Sequence, residues 1–190
     1  MITNKEQLHS VLLREKKQYF GSRVAYMKSL LLHERESAIW RFQKYLRQLE
    51  FYEHQKRSKF LVARLLAWGG YSCYSRKTNK LRERLGIEIW HSCFDEGLII
   101  WHSSGILVNS KCRIGKNCQL HGNNCIGNDG KTEGVPVIGD NCNIGFGASI
   151  IGDIRLGNNV TIGAGAVVNK SFEGDNIVLA GVPAKIIRRG

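Results

Sequence analysis

The chain has 190 residues, 43% of them hydrophobic, and a formal net charge of +12, which suits one or two folded domains. No stretch approaches the roughly 18 consecutive apolar residues that span a bilayer, and the opening MITNKEQLHS lacks the apolar centre of a signal peptide. A cytoplasmic protein is therefore expected. The six cysteines form no CxxC pair, so neither a metal site nor a disulfide framework is expected of them.

Charge and glycine divide the chain in opposite senses. Residues 1–86 hold nineteen Lys and Arg against seven Asp and Glu, whereas the remainder holds nine of each. Only four of the 21 glycines precede residue 87. A boundary near Gly86 follows, with a basic α-helical domain over 1–86 and a second domain over 87–190.

Within the first part, Leu8, Leu12, Leu13, Val24, Met27, Leu30, Leu31, Ile39, Phe42, Leu46 and Leu49 recur at helical spacing, with a break at Gly21. Ser58–Lys77 then places Phe60, Leu61, Leu65, Leu66 and Trp68 among Lys59, Arg64, Arg76 and Lys77. Two readings stand side by side. A basic helix with an apolar face suits an anionic membrane surface, at the inner face of the membrane; the same face equally suits packing on the rest of the protein or on another subunit. Nucleic acid is not expected, because no binding motif accompanies the charge.

From residue 108 onward an aliphatic residue returns at every sixth place: Val108, Ile114, Leu120, Ile126, Ile138, Ile144, Ile150, Leu156, Ile162 and Val168, with one miss at Thr132. Two places earlier stand mostly small residues, Cys112, Cys118, Asn124, Cys142, Ala148, Val160 and Ala166, with Ile154 the bulky member. A period of six fits neither a helix nor a flat strand. It fits a solenoid of three short parallel strands per coil, with the aliphatic residues along the axis and glycine or asparagine at the corners. Segment 127–139, which contains the miss, should bulge outward and help wall the active site.

The hexad array, the GVPAKII ending (Gly181 to Ile187) and the stretch LIIWHSSGILVNSKCRIGKNCQLHGNNCIGN resemble the hexapeptide acyltransferases, in the branch around serine acetyltransferase. The resemblance covers about the last hundred residues. It implies an α+β chain in which the helices precede a left-handed parallel β-helix. It further implies a homotrimer or dimer of trimers, acetyl-coenzyme A as co-substrate bound between neighbouring prisms, and no metal.

The same resemblance implies the site. His102 would be the general base, and it also falls on the six-residue register where an aliphatic residue belongs. His121, nineteen residues on, would neighbour it in the stack as a stabilising or substrate-contact group. Glu88 is the carboxylate partner implied for His102, with Asp95 as the alternative and as a substrate contact. Asn128, Phe146 and Ala164 would line the donor site, with Lys170, Lys185, Arg188 and Arg189 near its phosphates.

Two departures bear on the acceptor. Trp101 stands where the family has an aspartate, and Val135 where it has a second histidine. A flat indole suits a sugar ring, so the chain is similar to capsule and exopolysaccharide O-acetyltransferases, and a sugar or polysaccharide acceptor is expected. Serine O-acetylation is the alternative, and a non-catalytic β-helix scaffold the alternative from another class.

Overall fold

The computed structural model describes residues 2–190 and divides the chain after Leu85 into two compact units, the second being Gly86–Gly190. The first unit consists of α1 (Lys5–Tyr19), α2 (Arg23–Leu31), α3 (Arg35–Gln55) and α4 (Leu61–Leu85). Asn4 caps α1 by accepting from the Gln7 backbone N–H at 2.9 Å, and Ser22 caps α2 through the Ala25 N–H at 3.1 Å. The break expected at Gly21 lies between these two helices.

Arg47 on α3 is buried between Glu15 of α1 and Glu50, with nitrogen to oxygen distances of 2.7 Å to each. Burial opposes its charge, but Glu50 and Glu15 outweigh that cost and hold the guanidinium above its ordinary range. The apolar row expected from the sequence, Phe60 just before α4 and Leu61, Leu65, Leu66 and Trp68 on it, is exposed, as is Val62. No helix among the described residues is long and apolar enough to cross a membrane.

The second unit is a coil of very short strands on three faces. The first face orders β1 (Ile87–Glu88), β3 (Ile106–Val108), β6 (Cys125–Gly127), β9 (Ser149–Ile151) and β12 (Val167–Val168). The second carries β4 (Arg113–Ile114), β7 (Val137–Ile138) and β10 (Arg155–Leu156). The third carries β2 (Ile99–Ile100), β5 (Gln119–Leu120), β8 (Asn143–Ile144), β11 (Thr161–Ile162) and β13 (Ile177–Ala180). There β14 (Lys185–Arg189) folds back antiparallel on β13, while the pairs within the coils are parallel. An α+β chain with a hexapeptide β-helix is what the sequence predicts.

Every aliphatic residue of the six-fold register is buried, the most exposed being Leu156 at 6%. The residues two places earlier are buried as well, because side chains from three faces converge there. Cys112, Cys118 and Cys142 act as compact apolar filling, and burial pushes the Cys112 thiol up to about 12 and that of Cys142 to about 11.

One corner is held by a ladder of side chains. Asp140 Oδ1 accepts from the Lys116 N–H at 2.8 Å, Asn158 Oδ1 from the Asp140 N–H at 2.8 Å, and Asp175 Oδ1 from the Asn158 N–H at 2.6 Å. Asn117, Asn141, Asn159 and Asn176 follow with positive φ, the left-handed turn that asparagine tolerates.

Two breaks in the register bear on the site. Twenty residues separate Ile100 from its partner Leu120, whereas eighteen separate Val108 from Ile126. The corner spanning residues 101–105 is therefore two residues longer than the hexad rule allows. Between β6 and β7 the chain makes its second excursion, over residues 128–136. This is the expected outward bulge, and it pairs Lys111 with Glu133.

Candidate active site

The two-residue excess at 101–105 changes the reading of His102. Ile100, fully buried, takes the core place that the six-fold count assigned to His102. The histidine is instead exposed on the bend that follows β2. It does not replace an aliphatic core residue; the longer corner lifts it out of the register.

Above that bend stands Gly122, with φ of +105°. A Cβ there would lie 3.0 Å from the His102 carbonyl oxygen, 3.1 Å from His102 Cβ and 3.4 Å from Phe146 Cδ2. The missing side chain thus lets His102 and the Phe146 ring approach one point from neighbouring coils. Backbone bonds continue the corner, from Gly147 N–H to Gly122 O at 3.0 Å and from Gly165 N–H to Phe146 O at 2.8 Å. Ala164 belongs to the same line. Glycine or alanine at Gly122, Gly147, Ala164 and Gly165 leaves the main chain open to close approach by a ligand.

Beside this line lies a polar aromatic group. Trp101 stacks on His121 with ring centroids 6.2 Å apart and 28° between planes. The indole Nε1–H donates to Gln119 Oε1 at 3.0 Å, and His121 Nε2 lies 2.7 Å from Asn143 Oδ1. The side chain that His121 meets in the stack is Trp101, not His102, because the long corner sets the offset at twenty residues. Gln119, Asn143 and Gly122 were not singled out from the sequence. Gln119 and Asn143 are each the residue before a core aliphatic, and this outward slot is the signal that marks them.

Other candidates fall elsewhere. Glu88, exposed on β1, pairs through its strand with Leu107. Asp95 bonds through its backbone to Ile114, on the face opposite the His102 corner. His102 makes no side-chain hydrogen bond among the described residues, so neither carboxylate holds it within this chain. Asn128 and Lys170 follow β6 and β12, at the next corner of the prism. Asn128 Nδ2 donates to Thr132 O at 3.1 Å and braces the outward loop, while Lys170 Nζ sits 5.5 Å from the Phe172 ring centroid. Lys185 pairs with Ala180 on the antiparallel strand. The loop over 128–136 therefore leaves the prism one corner away from His102 and does not wall that histidine within one chain.

The family model "Bacterial transferase hexapeptide (six repeats)" matches residues 136–170. A serine acetyltransferase from Staphylococcus xylosus is 33% identical over 141 residues, covering 73% of this chain and 60% of that protein. A second, from Staphylococcus aureus strain Mu50, is 36% identical over 107 residues, covering 55% of this chain and 50% of its own length. The crystal structure of the Neisseria gonorrhoeae serine acetyltransferase superposes with a TM-score of 0.68 at 26% identity, covering 98% of this chain and 68% of that one. The chain thus spans about half to three-fifths of the length of these curated relatives.

These relatives overturn the expectation of a sugar or polysaccharide acceptor, since they are serine acetyltransferases. The physical ground for that expectation is weaker as well: one face of the Trp101 indole lies against His121, and its N–H is committed to Gln119. Contact with a membrane surface finds no support in them either. The unit Gly86–Gly190 is a left-handed hexapeptide-repeat β-helix.

Proposed function

We propose that the chain transfers the acetyl group of acetyl-coenzyme A to the hydroxyl of L-serine, with His102 as general base. The observation that carries the reading is the exposed His102 at a corner lined by Gly122, Gly147, Ala164 and Gly165, in a chain whose relatives are serine acetyltransferases. A serine-bound form of the Neisseria gonorrhoeae enzyme, 25% identical with a TM-score of 0.64, supports serine as the acceptor.

In this reading the imidazole removes the hydroxyl proton as the oxygen attacks the thioester carbonyl. The carbon–sulfur bond then breaks, and the proton held by His102 passes to the departing thiolate to give free coenzyme A. The N–H groups of Gly122, Gly147 and Gly165 are bonded within the coil, so the oxyanion would rest on the Ala164 N–H, a contribution of about 3 kcal/mol for one donor in comparable sites. Phe146 offers an apolar surface beside the base for the acyl and pantetheine portions. Asn128 and Lys170 lie at another corner, so their part in donor binding requires the cleft between prisms of a homotrimer, which belongs to the proposal. Glu88 would pair with His102 only in that assembly or after substrate binds.

The test is thiol release from acetyl-coenzyme A with and without L-serine. Serine-dependent release is expected, with kcat lowered about 10²–10⁴-fold in His102→Ala. Release that does not depend on serine, or a variant with full activity, refutes the assignment.

A further inference from the structure

The group around Trp101 has a consistent hydrogen-bond polarity. The Trp101 N–H is spent on Gln119 Oε1, and the His121 Nε2–H is spent on Asn143 Oδ1, since an amide oxygen only accepts. Both amide oxygens therefore face the aromatic rings. Among the described residues, the Gln119 and Asn143 amide nitrogens and His121 Nδ1 carry no partner. What remains open on this outward surface is chiefly N–H, and such a surface suits an anion.

His121 is also well held. It is half-buried, its ring lies over the Trp101 indole, and it directly precedes Gly122, against which the His102 backbone and Cβ rest. A ligand that reaches both histidines thus bridges residues on adjacent coils. No carboxylate of the protein bonds to His121 among the described residues.

We propose that His121, with the amide groups of Gln119 and Asn143, binds the carboxylate of the acceptor while His102 takes its hydroxyl proton. The incoming carboxylate would accept from the Gln119 and Asn143 amide N–H groups beside the His121 ring, whose Nε2 stays on Asn143 Oδ1. This deepens the serine reading and rests on it. His121 is here a binding residue; it takes no part in the proton transfer.

The experiment compares acceptors with and without a carboxylate: L-serine against serinol, and D-glycerate against glycerol. The full chain is expected to prefer the acid of each pair. His121→Leu should raise KM for L-serine by about 10–100-fold, the effect of losing a hydrogen bond to a charged group, and lower kcat/KM for L-serine at least about 10-fold more than for serinol. His121→Asn, which keeps an N–H near the Nδ1 position, should retain part of the preference. Asn143→Asp, nearly isosteric, should weaken serine more than serinol by repulsion.

A loss shared equally by serine and serinol in His121→Leu overturns the proposal, as does a fall in kcat at constant KM. Preference for D-glycerate over glycerol without serine turnover refutes the serine reading but upholds the carboxylate site. No preference for either acid refutes the site.

Discussion

Ile100 stacks on Leu120, twenty residues further along, while Val108 stacks on Ile126 after only eighteen. Those two extra residues, in the corner at 101–105, are what bring His102 to the surface and Trp101 over His121. Deleting Ser103 and Ser104 should restore an eighteen-residue coil. The β-sheet circular dichroism signal should persist, whereas the proposed acetyl transfer should fall at least about 100-fold, because small displacements of a general base, the role proposed for His102, carry that cost.

Gly122→Ala places a methyl group at a point already approached by His102 and Phe146, on a residue with φ of +105°. The backbone strain alone costs about 1–3 kcal/mol. Urea denaturation should show that loss, and kcat should drop as His102 is pushed aside. Truncating the ring as well, in Gly122→Ala with Phe146→Ala, should recover part of the stability but none of the backbone strain.

In the helical unit, Glu15→Gln leaves Arg47 with one carboxylate instead of two in a buried setting. A partner removed from a buried ion pair typically costs about 3–5 kcal/mol. Because Glu50 remains, the lower end is expected, measured as a shift of the denaturation midpoint at neutral pH. Loss of both partners, in Glu15→Gln with Glu50→Gln, should cost more than either alone.

Alkaline conditions should loosen the β-helix through its buried thiols. Burial raises Cys142 from 9.0 to about 11 and Cys112 from 9.0 to about 12 in the folded chain. The folded state therefore holds protons that the unfolded state has released, and stability falls as pH rises from about 9 toward 12. Cys142→Ala should reduce that slope, read from thermal midpoints between pH 8 and pH 11. At pH 8, the exposed Cys73 should react with a thiol reagent in the folded chain while Cys118 should not.

The division between what sequence and fold each decided follows from the range of the interactions. A six-residue period, small residues two places before each aliphatic, and glycine or asparagine between them are local requirements of a three-sided coil. Val108 through Val168 therefore announced the core, and Cys112, Cys118 and Cys142 announced their role as filling, with no knowledge of partners. The helices before Gly86 were equally plain from spacing, and so was the bulge around Thr132.

The site was not local in this way. Which residue lies above His102 depends on how many residues each corner consumes, and the count of multiples of six passed over the longer corner at 101–105 without registering it. Only the hydrogen bonds between strands twenty residues apart decided that Ile100, not His102, faces the axis. The same bonds set Trp101 on His121 and Gly122 beneath Phe146. The family resemblance could propose a histidine base, but inter-coil register alone determined its neighbours, because parallel strands align through backbone groups that carry no mark of residue type.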